Sequence, residues 1–327
     1  MKKIKVIELG GTISAAGEDR LDFKDYTSGI YTGETYLKDI PELSSIANVS
    51  FESFLRVSST AIQTEHWIQL RNKIQRDIQL YDGVVLTHGT NTIEETAYFL
   101  HLTVNTDKPI IIVGSQRPYS AISSDAHANL LQAIRVAASD EAKGYGVLVV
   151  LNDEINCARE VTKTNTYRLE TFQSGQLGYL GFIDPDKKVH MYRKPVKKHT
   201  YESEFSKIEF DTLKNVEIIY SYAGASGHLI DYIIASKYFS GIVTAGTGAG
   251  LVAPDELDSL RNAVEEGLFI VRSSRVGNGR VMDVAPYRDD AFIHADNLLP
   301  QKARILLMLA LTTYTTVHEI QQVFDQY

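Results

Sequence analysis

Hydroxyl-bearing residues follow the ends of three apolar runs. Thr12 comes just after Gly10-Gly11 at the end of IKVIEL, Ser59 and Thr60 follow FESFLRV, and Thr90 follows Gly89 in THGTNT, which closes the run GVVL. A glycine pair lets the backbone turn sharply, so the next side chain can stand clear of the fold. The chemistry open to such a residue is nucleophilic attack. A threonine hydroxyl is weak in that role near neutral pH and needs a base beside it. Lysine can act as one when burial or nearby positive charge lowers its pKa. Lys163, in AREVTKTNTY, is the candidate. The ordinary use of an isolated hydroxyl is to cap a helix. Thr92 and Glu95 fit the capping box T-x-x-E ahead of an apolar helix and are assigned to structure. Thr90 lies one step too early for that cap.

These residues must be placed by the elements around them. The runs IKVIEL, GVVLTHG, PIIIVGS and YGVLVVLN are rich in Val and Ile and alternate with helix-period stretches such as TEHWIQLRNKIQRDIQ and HANLLQAIRVAAS. Strands apolar on both faces belong to a parallel sheet covered by helices, and the alternation predicts a doubly wound α/β domain. Ligands in such sheets bind at the carboxyl ends of the strands. The charged, Pro-punctuated segment DPDKKVHMYRKPVKKHTYESEF holds little beyond a possible hairpin and reads as a connector. The predicted organisation is an N-terminal domain over 1–190, a linker over 191–214 and a C-terminal α/β domain over 215–327. The last stretch reads as two helices, with Pro300 in the first turn of one.

Composition narrows the class further. The chain has 327 residues, 44% of them hydrophobic and 23% charged, with a net charge of −8. That balance argues against nucleic acid or an anionic membrane as the main partner. The basic run from Arg193 to His199 reads as solvated. A single cysteine, Cys157, excludes an intramolecular disulfide and a thiolate metal cluster. The N-terminal apolar stretch is too short for a leader and reads as a first strand, which makes the expected location cytoplasmic. No window approaches the roughly 20 apolar residues of a spanning helix. GGTISAAG is not G-x-G-x-x-G, GTGAG at 246–250 fits less well still, and there is no P-loop, H-E-x-x-H or G-x-S-x-G.

Taken in order, GGTIS, THGTNTIEETAYFL, VGSQRP, AREVTKTNT with the following TFQSG, and VRSSR resemble the bacterial-type asparaginase/glutaminase family, and most closely its type II L-asparaginase branch. The likeness spans residue 4 to the end. It implies a larger N-terminal doubly wound, flavodoxin-like, mostly parallel domain and a smaller C-terminal α/β domain. It also implies a site completed by a neighbouring subunit in a dimer of dimers, with neither metal nor organic cofactor. By this resemblance Thr12 is the nucleophile on an amide carbon, helped by Tyr26 on a mobile lid. Thr90 and Lys163 form a second relay. Ser59 and Thr60 hold the substrate's α-carboxylate, while Gly89, the backbone around Thr90, and Ser115 receive the leaving amide and the oxyanion.

The sequence departs from the family pattern on one side of this site. Position 91 is Asn where the motif H-G-T-D-T has an aspartate that pairs with the substrate's α-ammonium and supports the lysine. Asn keeps the size but carries no charge, so Lys163 loses a counter-ion and its pKa should fall. Ala249 stands where the branch commonly has Asn, and Leu9 replaces a frequent Thr. The stretch 276–290 is short, with Asp283 the nearest carboxylate in type. Three readings follow: an asparaginase, an amidohydrolase for an asparagine derivative without a free α-ammonium, or a silent homologue used for binding.

Overall fold

Five consecutive buried residues make up each of the strands GVVLT and VLVVL, so neither face of either strand meets water. The computed structural model describes residues 1–327, which divide into two compact units, Met1–Ile208 and Glu209–Tyr327.

The first unit is built on an eight-stranded sheet. Its strands are β1 (Lys3–Gly10), β2 (Asn48–Val57), β3 (Gly83–Thr87), β4 (Ile110–Val113), β5 (Val147–Leu151) and β6 (Glu154–Cys157), completed by β9 (Gly181–Ile183) and β10 (Val189–Met191). Between β6 and β9 lies a separate two-stranded hairpin, β7 (Thr162–Lys163) with β8 (Phe172–Gln173). The spatial order is β10-β9-β6-β5-β4-β3-β1-β2. From β2 to β5 all neighbours are parallel, whereas β5-β6, β6-β9 and β9-β10 are antiparallel. The parallel part has the doubly wound order 2-1-3-4-5, so the winding reverses between β1 and β3. The carboxyl ends of those two strands therefore flank a natural crevice.

The helices of this unit are α1 (Gly33–Asp39), α2 (Leu43–Ile46), α3 (Thr64–Asp77), α4 (Ile93–Thr103) and α5 (Ala126–Ala137). Leu130, Ala133 and Ile134 of α5 pack with Val6, Val85, Ile111 and Leu148 on one face of the sheet. Alternation along each strand sends Val84 and Leu86 to the opposite face, the side of the α3–α4 pair. The hairpin expected in the charged connector is β9–β10. The chain from 191 onward stays on the first unit as far as Ile208: Phe205 is fully buried, and Arg71 donates to the Ile208 carbonyl at 2.7 Å.

The second unit carries a four-stranded, fully parallel sheet of β11 (Val216–Tyr220), β12 (Gly241–Gly246), β13 (Phe269–Ser274) and β14 (Phe292–His294), in that order. Its helices are α6 (His228–Ser236), α7 (Pro254–Glu265), α8 (Pro300–Ala310) and α9 (Val317–Gln326). Pro300 occupies the first turn of α8, where its missing N–H costs nothing. Thr316 and Glu319 form a reciprocal capping box on α9.

One contact brings the two central strand ends together. Gly11, at φ +85, lies so close to Gly89 that a Cβ on it would sit 2.3 Å from the Gly89 Cα. Gly89 is equally confined, with the Ser59 hydroxyl 2.8 Å from any Cβ it might carry. Replacing Gly11 by Ala both strains the backbone and drives the strands apart. Gly11→Ala should cost about 3 kcal/mol or more in chemical denaturation. A midpoint equal to that of the unsubstituted chain would mean the approach is not required.

Candidate active site

Thr12 begins a 3-10 turn immediately after β1 and is buried. Its Oγ1 lies 3.1 Å from the Tyr26 hydroxyl. Tyr26 is carried on a loop closed at its base by reciprocal backbone bonds between Ala16 and Thr27. The loop is also tied down along its length. Gly17 N–H donates to the Ser120 hydroxyl and Ile122 N–H to the Arg20 carbonyl, while the Arg117 guanidinium stacks over Phe23.

Beyond β3, His88 is wholly enclosed and holds the turn in shape. Its Nδ1 is 2.7 Å from the Gly89 carbonyl, which can only accept, so the ring proton is on Nδ1. Its Nε2 then accepts from the Thr96 hydroxyl at 2.8 Å, and that oxygen accepts from the Trp67 indole N–H at 2.9 Å. Burial pushes the His88 pKa down to about 4, against a weaker opposing effect of the Gly89 carbonyl, so the ring is neutral at neutral pH. A second tie comes from the turn after β2. The Ser59 hydroxyl accepts from Asn91 N–H at 3.2 Å, and the Thr92 hydroxyl donates to the Ser59 carbonyl at 2.8 Å. Thr92 does occupy the N-cap of α4, but its side chain makes no capping bond. The expected capping box is absent because the Ser59 carbonyl takes the hydroxyl.

Thr90 projects from this turn to Lys163, whose Nζ donates to the Thr90 Oγ1 at 2.9 Å. The two residues are 73 apart in sequence and meet because the β7–β8 hairpin presents the lysine. Polar residues of the TKTNT stretch lock that hairpin: Thr164 N–H and hydroxyl both donate to the Thr171 carbonyl at 2.8 Å, and Asn165 N–H donates to the Thr171 hydroxyl. The Asn165 side chain closes the next turn by accepting from Tyr167 and Arg168 N–H. The lysine is half-buried, and burial is the main reason its pKa lies below the ordinary value; the charge of Glu94 opposes that shift.

Tyr26, Thr90, Asn91 and Lys163 line one cleft, together with Glu94 and Gln116. Asn91 is exposed there. Thr12 reaches this group through Tyr26, and Ser59 and Gly89 buttress the turn beneath it. Thr60 and Ser115 are not among the lining residues. Thr60 is exposed and paired with the Ser58 hydroxyl at 2.9 Å, and the fully buried Ser115 donates its hydroxyl to the Arg117 carbonyl at 2.7 Å. Glu94, Gln116 and His88 escaped the sequence reading. The available signal for Glu94 was a charged residue on the same helical stripe as the apolar Ala97 and Tyr98. No group of three or more His, Cys, Asp or Glu side chains is arranged to hold a metal ion. The geometry offers two hydroxyls, one beside the Tyr26 phenol and one beside a half-buried amine, with Tyr26, Thr90 and Lys163 lining one polar cleft.

In the second unit, Ala249 sits exposed on a turn bridged between Thr247 and Leu251. Arg272 of β13 is buried, stacks on the Tyr287 ring at 4.0 Å, and donates to the carbonyls of Ala249, Gly250 and Met282 at 3.3–3.4 Å. Asp283, two residues before the 3-10 turn Ala285–Tyr287, is exposed.

Comparison with known proteins gives full-length matches. Residues 3–197 match the family domain described as "Asparaginase, N-terminal", and residues 215–324 match the "Glutaminase/Asparaginase C-terminal domain". An L-asparaginase 2 of Bacillus subtilis is 41% identical over all of this chain and 87% of its own length. A glutaminase-asparaginase of Pseudomonas fluorescens biotype A is 40% identical over all of this chain and 91% of its own. The crystal structure of a probable cytoplasmic L-asparaginase from Campylobacter jejuni superposes with a TM-score of 0.95 at 38% identity, covering both chains completely.

The neutral, enclosed His88 links stability to pH. In the unfolded chain the ring takes up a proton near 6.5, in the folded chain only near 4. The histidine's contribution is therefore complete above pH 6.5 and declines as pH falls towards 4, by roughly 3 kcal/mol at most. His88→Gln should flatten the stability-versus-pH curve across that window in urea titrations. Identical slopes for the two proteins would show that His88 titrates normally.

Proposed function

The chain belongs to the asparaginase/glutaminase family of amidohydrolases, and we propose that it cleaves the side-chain carboxamide of L-asparagine or a close analogue, releasing ammonia. The observation that carries this reading is the Lys163–Thr90 bond at 2.9 Å beside the Thr12–Tyr26 pair at 3.1 Å. A partly buried amine held on a threonine hydroxyl is the pairing that activation of a hydroxyl needs, which weighs against a silent homologue.

In the proposed reaction Thr12 Oγ1 adds to the amide carbon while Tyr26 helps draw off its proton. The C–N bond breaks, the departing nitrogen gains a proton and leaves as ammonia, and the acyl group remains as an ester on Thr12. Water, activated through Thr90 and Lys163, adds to the ester carbonyl; the C–O bond to Thr12 breaks and the carboxylic acid departs. Backbone donors at Gly89 and Thr90 hold the oxyanion, a contribution of about 3 kcal/mol per donor in comparable sites; the Ser115 hydroxyl, engaged with the Arg117 carbonyl, is left out of that role. Ser59 and Thr60 are assigned to the substrate's α-carboxylate. The reading includes self-association as a dimer of dimers and residence in the cytoplasm.

A second reading is favoured by one observation, the exposed neutral Asn91 in the cleft wall. A charge-assisted hydrogen bond is roughly twice as strong as a neutral one, so a free α-ammonium loses about 1–3 kcal/mol at that position. An amide whose α-amino group is absent, substituted or uncharged loses nothing.

Ammonia release from L-asparagine, L-glutamine, D-asparagine, N-substituted asparagines and succinamic acid separates the two readings. On the second, the fastest substrate lacks a free α-ammonium, and micromolar KM for plain L-asparagine would discard it. Asn91→Asp should raise turnover of free asparagine about tenfold or more if the missing charge is responsible. Thr12→Ala should abolish turnover of every substrate, and a surviving rate would remove Thr12 from its role. Light scattering should give the mass of four chains.

A further inference from the structure

Glu94 is the only carboxylate among the residues lining the cleft. It stands on the first turn of α4, is 8% exposed, and its Oε2 is sealed from water with no hydrogen-bond partner. Leaving a buried carboxylate oxygen unpaired is unfavourable unless a positive charge compensates it. The amino end of a helix gives part of that compensation. The rest is available from Lys163, which lines the same cleft and holds Thr90.

We infer that Glu94 is a positioning residue for Lys163: its carboxylate supplies, from the first turn of α4, the negative charge that the neutral Asn91 does not. The inference rests on the reading of Lys163 as the relay amine.

The remaining titratable groups around the cleft do not supply that charge. Lys24 is exposed and is paired with Asp25 at 3.4 Å, and Tyr26 and Tyr167 are phenols. The hairpin that carries the lysine adds Thr164, Asn165 and Thr166, which are neutral, and Gln116 beyond β4 is neutral as well. Glu94 is therefore the sole acid lining the cleft, and its charge acts on Lys163. Its direction of action is to favour the ammonium form, against the burial that disfavours it.

The test measures the lysine itself. Competitive acetylation of the intact protein across pH, read by mass spectrometry on the peptide containing Lys163, gives the midpoint at which that amine becomes reactive. Glu94→Gln should lower the midpoint by about one pH unit, and should move the acid limb of kcat/KM for the best amide substrate in the same direction. Glu94→Asp, which draws the charge back by one methylene, should fall between. A Glu94→Gln midpoint equal to the wild type's overturns the inference. Should Glu94→Gln fail to fold, a Glu94→Asp midpoint equal to the wild type's does so. A merely structural role for Glu94 would lower the melting temperature and leave both midpoint and acid limb in place. Acetylation needs no turnover. An absence of ammonia release from any amide therefore defeats the proposed reaction separately, and an unmoved midpoint in an active enzyme defeats this inference alone.

Discussion

The contact between Gly11 and Gly89 is the constraint on which the site depends. Parallel strands β1 and β3 are neighbours in register from Ile4 opposite Gly83 to Glu8 opposite Thr87, so their ends run out side by side at the point where the winding reverses. Ordinary side chains at those ends would hold the two turns several ångströms further apart. With hydrogens in place of Cβ atoms, the backbones touch. Each turn then offers its next residue, Thr12 from one and Thr90 from the other. The neighbouring ties have the same effect: His88 fixes the carbonyl of Gly89, and Ser59 fixes Asn91 and Thr92. The nucleophile candidates stand on interlocked backbone, a sound way of holding two hydroxyls at constant separation.

Charge in the cleft is arranged differently from what the type of residue at position 91 suggests. On the proposed function, the neutral, exposed Asn91 leaves no negative charge where a substrate ammonium would lie. The buried Glu94 lines the same cleft, and its charge favours the ammonium form of Lys163. With Lys163 as the proposed relay amine, one carboxylate stands with the relay and none with the proposed site of the substrate's ammonium. Such an arrangement would separate two effects that a single aspartate would combine, attraction of an ammonium and control of the lysine's protonation.

Much of this was legible in the sequence because the strongest signals are local. Continuous Val and Ile runs specify strands buried on both faces, and their order specifies parallel winding. Pro300 marks a helix start by its own covalent geometry. The three antiparallel strands at the far edge were less visible, since EINC, GFI and VHM are too short to show a period. Thr92 takes the expected N-cap position without its capping bond, for a physical reason: the T-x-x-E pattern describes what the helix offers, and nothing local reveals the Ser59 carbonyl that competes for the hydroxyl. The Thr90–Lys163 contact depends on a hairpin closed by Thr164, Asn165 and Thr171, and side-chain bonds of that kind have no periodic signature. Glu94 was hidden next to Glu95. The two differ only in which way the helix turns them, and that is decided by packing.

Arg272 illustrates how a cation can organise a loop region without a carboxylate contact. Its hydrogen bonds end on carbonyls of the 247–251 turn and of Met282, and its flat face rests on Tyr287. Carbonyls and an aromatic ring have no proton to gain in mild acid. A clamp whose hydrogen bonds end on such groups keeps those bonds at acidities where an arginine–aspartate clasp would already be loosening.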